Sequence, residues 1–186
     1  LTVGLPAGDM GKIGLAVSPL DPRVVYATVE ASSDERGFYR STDRGESWEK
    51  RNSYISGGTG PHYYQEIFAD PNTFDRVYQM DPAMRVTDDG GTTWRVVGEK
   101  SKHGDNHAMA FVKGDPDYLL NGSDGGVYES RDRGKTWRFF ENLPVTQFYK
   151  LAIDNDLPLC KVHGGARDNG SPPGPAGAAK RARDGN

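Results

Sequence analysis

Ser41-Thr42-Asp43-Arg44-Gly45-Glu46-Ser47-Trp48 returns as Thr87-Asp88-Asp89-Gly90-Gly91-Thr92-Thr93-Trp94, and again as Ser130-Arg131-Asp132-Arg133-Gly134-Lys135-Thr136-Trp137. All three stretches read (S/T)-x-D-x-G-x-(S/T)-W, and they hold all three tryptophans of the chain. The pattern is turn chemistry. A short aspartate side chain accepts backbone N–H bonds across its own turn, the hydroxyl residue adds a local bond, and glycine accepts a positive φ without steric cost. The tryptophan then lies across the hairpin and supplies apolar area that a small sheet otherwise lacks. Asp43, Gly45, Trp48, Asp89, Gly91, Trp94, Asp132, Gly134 and Trp137 are therefore read as structural.

The aspartates are 46 and 43 residues apart, the period of one four-stranded propeller blade at ~40–50 residues. Flanking residues repeat too. Each box follows a short alternating run: Gly37 to Arg40, Ala83 to Val86, and Gly126 to Glu129. That is a strand entering a hairpin. Further upstream, Ile13 to Val17, Ile67 to Ala69 and Met109 to Val112 each precede an Asp-Pro pair, and proline closes a strand because it cannot donate to a ladder. A second strand follows, best seen in Val24 to Val29. Each unit thus predicts four short antiparallel strands with the box on the turn between the third and the fourth.

The spacing predicts an all-β chain of propeller blades: blade 1 over 1–52, blade 2 over 53–100, blade 3 over 101–143 and part of a fourth over 144–170. From Ser171 the run SPPGPAGAAKRARDGN has no large apolar residue, so burial cannot offset its ordering entropy, and 171–186 reads as a flexible or truncated tail. Three and a half blades leave unpaired edges, so the chain is expected to be an incomplete propeller whose partners include the remaining blades of a longer parent. It starts at Leu1 with no basic and apolar leader, as a mature or excised piece would.

Composition narrows the function. The 186 residues carry 23 Lys+Arg against 26 Asp+Glu, a net charge of -3. That gives no overall attraction to phosphate backbones, and no apolar run approaches the ~20 residues of a membrane span. Neither nucleic acid nor membrane insertion is expected. Cys160 is the single cysteine and reads as a buried structural thiol.

The three boxes resemble the Asp box, or BNR repeat, of sialidases, sortilin-type ectodomains and xyloglucanase-like glycoside hydrolases. VVYATVEA, YYQEIFADP, HGDNHAMAF, GSDGGVYESRDRGKTWRFFENLP and TQFYKLAID resemble the N-terminal propeller of large bacterial sortilin-like or xyloglucanase-like proteins labelled glycosyl hydrolase. The resemblance covers about residues 11 to 170 and implies export, to the medium or the cell envelope.

In a propeller the loops leading into the innermost strands converge at one mouth of the central channel, where ligands bind. Here these are 8–12, 61–66, 101–107 and 144–149. His62, Tyr63 and Tyr64 offer imidazole and aromatic faces for a ligand, beside the carboxylate of Glu66. His103, Asp105 and His107 are spaced two apart, so an extended backbone would point all three to one side. Two imidazoles and a carboxylate without a fixed fourth ligand read as hydrogen-bonding residues of the channel; no metal and no cofactor is expected. Ser123-Asp124-Gly125-Gly126 and Arg167-Asp168-Asn169-Gly170 read as Asx-type turns, and Gly57-Gly58-Thr59-Gly60 as a flexible connection.

Two functions follow. One is a noncatalytic binding or scaffold module that takes a glycan or a protein or peptide ligand on the propeller face. The other is a glycoside hydrolase of the xyloglucanase type, for which two carboxylates must flank the scissile bond; Asp105 and Glu66 are its catalytic candidates. A sialidase would also need an arginine trio for the substrate carboxylate, and no inner-strand arginine stands out.

Overall fold

The computed structural model describes residues 3–56, 64–98, 100–143, 148–153, 161–166 and 173–175. Leu1–Phe139 form one compact unit and Phe140–Asn186 a second. The first unit contains three four-stranded antiparallel sheets, each paired in chain order. They are β1 (Ile13–Val17), β2 (Val25–Val29), β3 (Gly37–Ser41) and β4 (Glu49–Asn52); β5 (Ile67–Ala69), β6 (Val77–Gln79), β7 (Arg85–Thr87) and β8 (Arg95–Val96); and β9 (Asn106–Val112), β10 (Asp115–Ser123), β11 (Gly126–Ser130) and β12 (Arg138–Phe139). No helix is present among the described residues.

The second unit holds β13 (Phe148–Ile153), β14 (Lys161–Ala166) and β15 (Pro173–Pro175) as a three-stranded sheet. β15 lies inside the stretch read from sequence as a tail. A Pro-Gly-Pro strand donates only one backbone N–H, and it sits here as an edge strand, where a missing donor costs least. Cys160, the Gly57 to Gly60 connection and the Arg167 to Gly170 turn lie outside the described residues.

Each box occupies the hairpin between the third and fourth strands of its sheet. Asp43 Oδ1 accepts the Ser47 N–H at 2.9 Å, Asp89 Oδ1 that of Thr93 at 2.9 Å, and Asp132 Oδ1 that of Thr136 at 2.9 Å. The second carboxylate oxygen takes the hydroxyl of the same residue. The leading hydroxyl, on Ser41, Thr87 or Ser130, bonds the carboxylate and accepts the N–H of the box glycine at 2.8–2.9 Å. Trp48 and Trp94 each donate Nε1–H to the carbonyl of their own box glycine at 3.1 Å. Trp137 instead reaches Gly98, beyond β8, at 2.7 Å.

A second regularity escaped the sequence reading. The residue before each box glycine also has a left-handed backbone: φ is 64° at Arg44, 67° at Gly90 and 61° at Arg133. Its N–H donates to the turn between the first two strands in the first two sheets, to the carbonyl of Arg23 at 2.8 Å and of Asp75 at 2.9 Å, and in the third sheet to the irregular start of β10, to the carbonyl of Asp117 at 3.2 Å. Each of these segments is itself capped by its Asp-Pro aspartate, since Asp21, Asp70 and Asp115 each accept the N–H two residues on, Asp115 doing so as the first residue of β10. Two Asx-type turns at one end of every sheet are thus tied by one backbone bond.

These box carboxylates carry a pH consequence. Asp43, Asp89 and Asp132 are each lowered to about 2. At Asp43 the Ser47 hydroxyl dominates; at Asp89 and Asp132 burial pushes upward and is outweighed by the bonds from Thr93 and Thr136. A folded value below the unfolded ~3.9 stabilises the fold above that pH, and the gain is lost as pH falls from ~4 towards ~2. Denaturant unfolding followed by circular dichroism should show this loss. The triple variant Asp43→Asn, Asp89→Asn, Asp132→Asn, less stable at neutral pH, should have a flatter acid limb.

The sheets pack face to face. Val24, Tyr26 and Phe38 of the first sheet meet Ile67 and Val77 of the second, with Trp94 alongside. Tyr78, Met80, Met84 and Val86 of the second meet Met109, Leu119, Tyr128 and Trp137 of the third. Arg40 on β3 adds a bidentate bond across the first interface, to Asp75 at 2.9 and 3.0 Å. The same side of each following sheet is therefore covered by the sheet before it.

Candidate functional site

Two lead-in segments are held by backbone contacts before their side chains are considered. Gln65, just ahead of β5, is fully buried with φ 92°. Its N–H bonds Ser56 Oγ at 2.9 Å and its amide oxygen accepts from Thr28 at 2.8 Å. A side chain at Gly14 would lie 1.6 Å from the Gln65 carbonyl, so only glycine allows β1 to approach. Ahead of β9, Asp105 adopts φ 52° and donates its N–H to the Pro82 carbonyl at 3.0 Å, while Asn106 bonds the Asp81 carbonyl with both its N–H and its amide. Both segments are thus bent and pinned to the neighbouring sheet.

The side chains then meet. Tyr64 Oη donates to Asp105 Oδ1 at 2.7 Å. The Tyr64 ring stacks on His107 with centroids 5.5 Å apart and an interplanar angle of 7°. His107 Nε2 lies 3.2 Å from Asp124 Oδ1, and the Asp124 N–H donates to the Asp105 carbonyl at 3.1 Å. Burial, with Asp105 and Asp124 adding, pushes the Tyr64 hydroxyl well above the usual phenol range, so it stays a proton donor. Glu66 turns the other way: its Oε1 takes Lys12 Nζ at 2.9 Å, from the segment leading into β1.

Of the sequence candidates, Tyr64, Asp105 and His107 come together in one cluster; Glu66 pairs with Lys12; His62 and Tyr63 lie outside the described residues. The extended register assumed for His103, Asp105 and His107 does not hold. The left-handed Asp105 ends the extended run, and β9 begins only at Asn106. The His103 ring turns to its neighbour's carbonyl on Gly104, Nδ1 to O 3.0 Å, with Gly125 packed against its Cβ. No group of three or more His, Cys, Asp or Glu among the described residues is placed to hold a metal ion. Asp124 and Lys12 are the site residues that the sequence reading missed. The turn at 123–125, expected to be of the Asx type, is closed by the Ser123 hydroxyl, which accepts the Gly125 N–H at 3.2 Å. The missing signal was register: β10 pairs Gly122 with Ala108 and Ser123 with Asn106, which sets Asp124 beside His107.

Antiparallel four-stranded sheets stacked face to face, with an Asp box on each third hairpin, define a chain of Asp-box propeller blades. Residues 39–50 match the BNR/Asp-box repeat family. Over 163 residues the chain is 26% identical to xyloglucanase Xgh74A of Acetivibrio thermocellus, a match covering 73% of this chain and 18% of that protein. Among solved structures it resembles the GH74 enzyme of Niastella koreensis, with TM-score 0.56 and 19% identity over 81% of this chain and 25% of that one. It also resembles the GH74 xyloglucanase of Xanthomonas campestris, with TM-score 0.55 and 18% identity over 88% of this chain and 28% of that one. The structural likenesses establish the propeller fold, and the chain spans under a fifth of the length of the xyloglucanase it matches.

Proposed function

We propose that this chain is part of an exported propeller that binds a neutral glycan, without cleaving it, at the mouth formed by the loops leading into β5 and β9. The observation that carries this reading is the parallel Tyr64–His107 stack, partly exposed and edged by Asp105 and Asp124. Flat rings pack against the C–H faces of a sugar while carboxylates accept from its hydroxyls. The likeness to xyloglucanases directs the choice of ligand towards β-glucans.

The same likeness supports a second reading, hydrolysis, with Asp105 and Glu66 as its two carboxylates. The contacts favour binding: Glu66 is ion-paired with Lys12 and Asp105 holds the Tyr64 hydroxyl, so neither is an unengaged acid facing a bond to be cut. Calorimetric titration with xyloglucan oligosaccharides, alongside a reducing-sugar assay, separates the two. Binding with no sugar released is expected, and Tyr64→Ala should weaken binding about tenfold, some 1.4 kcal/mol. Release that vanishes in the double variant Asp105→Asn, Glu66→Gln would establish the hydrolase instead.

Further blades in the parent form part of this proposal. Ile13, Leu15 and Val17 line the side of β1 away from the second sheet, with Leu15 62% and Val17 55% exposed, whereas the matching residues Ile67 and Met109 are covered by the sheet before them. Another four-stranded sheet would bury that row as the first sheet buries Ile67.

A further inference from the structure

We infer that residues 3–5 end the fourth strand of a further sheet, and that this sheet, joined to the chain ahead of them, is the partner that covers the Ile13, Leu15 and Val17 row of β1. The inference rests on the reading above that the parent carries more blades. It adds which sheet covers the row, where that sheet is joined and which described residues belong to it.

The box hairpins carry the argument, because each of the three is touched by a strand end from elsewhere. At the second sheet the end of β4 supplies it. Arg51 Nη2 donates to Thr92 Oγ1 at 2.6 Å and to the Asp89 carbonyl at 3.3 Å, and Asn52 Nδ2 donates to the Thr92 carbonyl at 3.0 Å. At the third sheet it is the chain just past β8: Trp137 bonds the Gly98 carbonyl, and a side chain at Gly98 would lie 2.7 Å from the Lys135 carbonyl. Val97 beside it is buried in the cluster that holds Tyr128 and Trp137. The first sheet is met in the same way. The Trp48 N–H donates to the Val3 carbonyl at 2.9 Å, Val3 bridges Ser47, and a side chain at Gly4 would lie 2.0 Å from the Trp48 carbonyl. Leu5 then packs on the cluster of Ala27, Val29 and Tyr39.

Spacing makes the likeness specific. The touching residues stand three and four positions after the tryptophan of their own box, Arg51 and Asn52 after Trp48, and Val97 and Gly98 after Trp94. Val3-Gly4 repeats Val97-Gly98 in residue type and in place. Ile13 pairs with Val29 and Leu15 with Ala27, so the row shares the face that Leu5 has begun to cover. In both complete interfaces the sheet that sends its strand end to the box also covers the inner strand, the first sheet over Ile67 and the second over Met109. The sheet that ends at residues 3–5 is therefore the one placed to bury Ile13, Leu15 and Val17. A second copy of this chain would bring its own strand end to a place beside Trp48 that is already filled.

Two measurements on the parent protein test this. Its sequence ahead of Leu1, read by peptide mapping, should carry a further (S/T)-x-D-x-G-x-(S/T)-W whose tryptophan falls within about two residues of Leu1. Hydroxyl-radical footprinting then reads the row itself. Leu15 is 62% exposed and its counterpart Ile67 5%, so in the parent the labelling of Leu15 should drop about tenfold, to the level of Ile67. Absence of a box from the ~50 residues ahead of Leu1, the length of one blade, overturns the inference. So does labelling of Leu15 that stays well above that of Ile67. Protection of Leu15 that is lost on dilution to monomer assigns the row to a second copy and also overturns it. Boxes found only beyond Asn186 leave the many-bladed reading standing while overturning this one.

Discussion

Phe38→Ala should lower the stability of the chain by about 3–5 kcal/mol, and the midpoint of thermal unfolding by roughly 10 °C. Phe38 is fully buried on β3, stacked on Tyr26 at 6.1 Å and meeting Trp94 edge-on at 5.0 Å. It belongs to the cluster through which the first sheet holds the second, together with Val24, Ile67 and Val77. Truncation removes a ring contacted from both sheets, and the β-sheet backbones on either side cannot collapse into the space. Differential scanning calorimetry measures the effect, and a loss below 1 kcal/mol would mean that the interface between the two sheets is not part of the cooperative unit.

Gly91→Ala should cost about 3 kcal/mol, an unusually large effect for the addition of one methyl group. Gly91 has φ 97°, which alone costs an L-residue about 1 kcal/mol or more. A Cβ there would also sit 2.1 Å from the Phe38 ring, so that ring or the box hairpin must shift, at a further ~1–3 kcal/mol. The two substitutions share one volume, so they should not add. With Phe38 cut to alanine, the Gly91 methyl enters vacated space, and the double variant should be less destabilised than the two single effects together by at least ~1 kcal/mol. Full additivity would show that the strain at Gly91 is entirely backbone in origin.

Most of the fold was legible because its deciding chemistry is local. Eight residues around each box aspartate contain the acceptor, the donors, the left-handed glycine and the apolar cover, so three copies at blade spacing announced three hairpins. The apolar runs before the Asp-Pro pairs fell on β1, β5 and β9 for the same reason. What escaped was everything that one hairpin owes to another segment. The left-handed residue before each box glycine is Arg44 and Arg133 in two sheets, types that carry no such signal, and its N–H is bonded to the segment that follows the Asp-Pro aspartate, at Arg23 and Asp117. Trp137 resembles Trp48 and Trp94 in sequence yet bonds Gly98, which only the neighbouring sheet brings within reach.

The candidate site divides along the same line. His107, Asp105 and Tyr64 could be singled out because they fall in segments that lead into inner strands. Their geometry could not, since an even spacing implies one face only if the chain is extended, and the N–H of Asp105 reaching the Pro82 carbonyl turns the backbone at that residue. By itself, then, the sequence determined the blade repeat, the strand order within each sheet and the turn that closes each third hairpin, because those interactions are made between residues a few positions apart. Only the tertiary structure decided that Tyr64 would bond Asp105, 41 residues away, that His107 would face Asp124 and that Glu66 would be taken by Lys12. Such contacts depend on how one sheet stacks on the next and on the register of β9 against β10, and no local pattern of residue types encodes either.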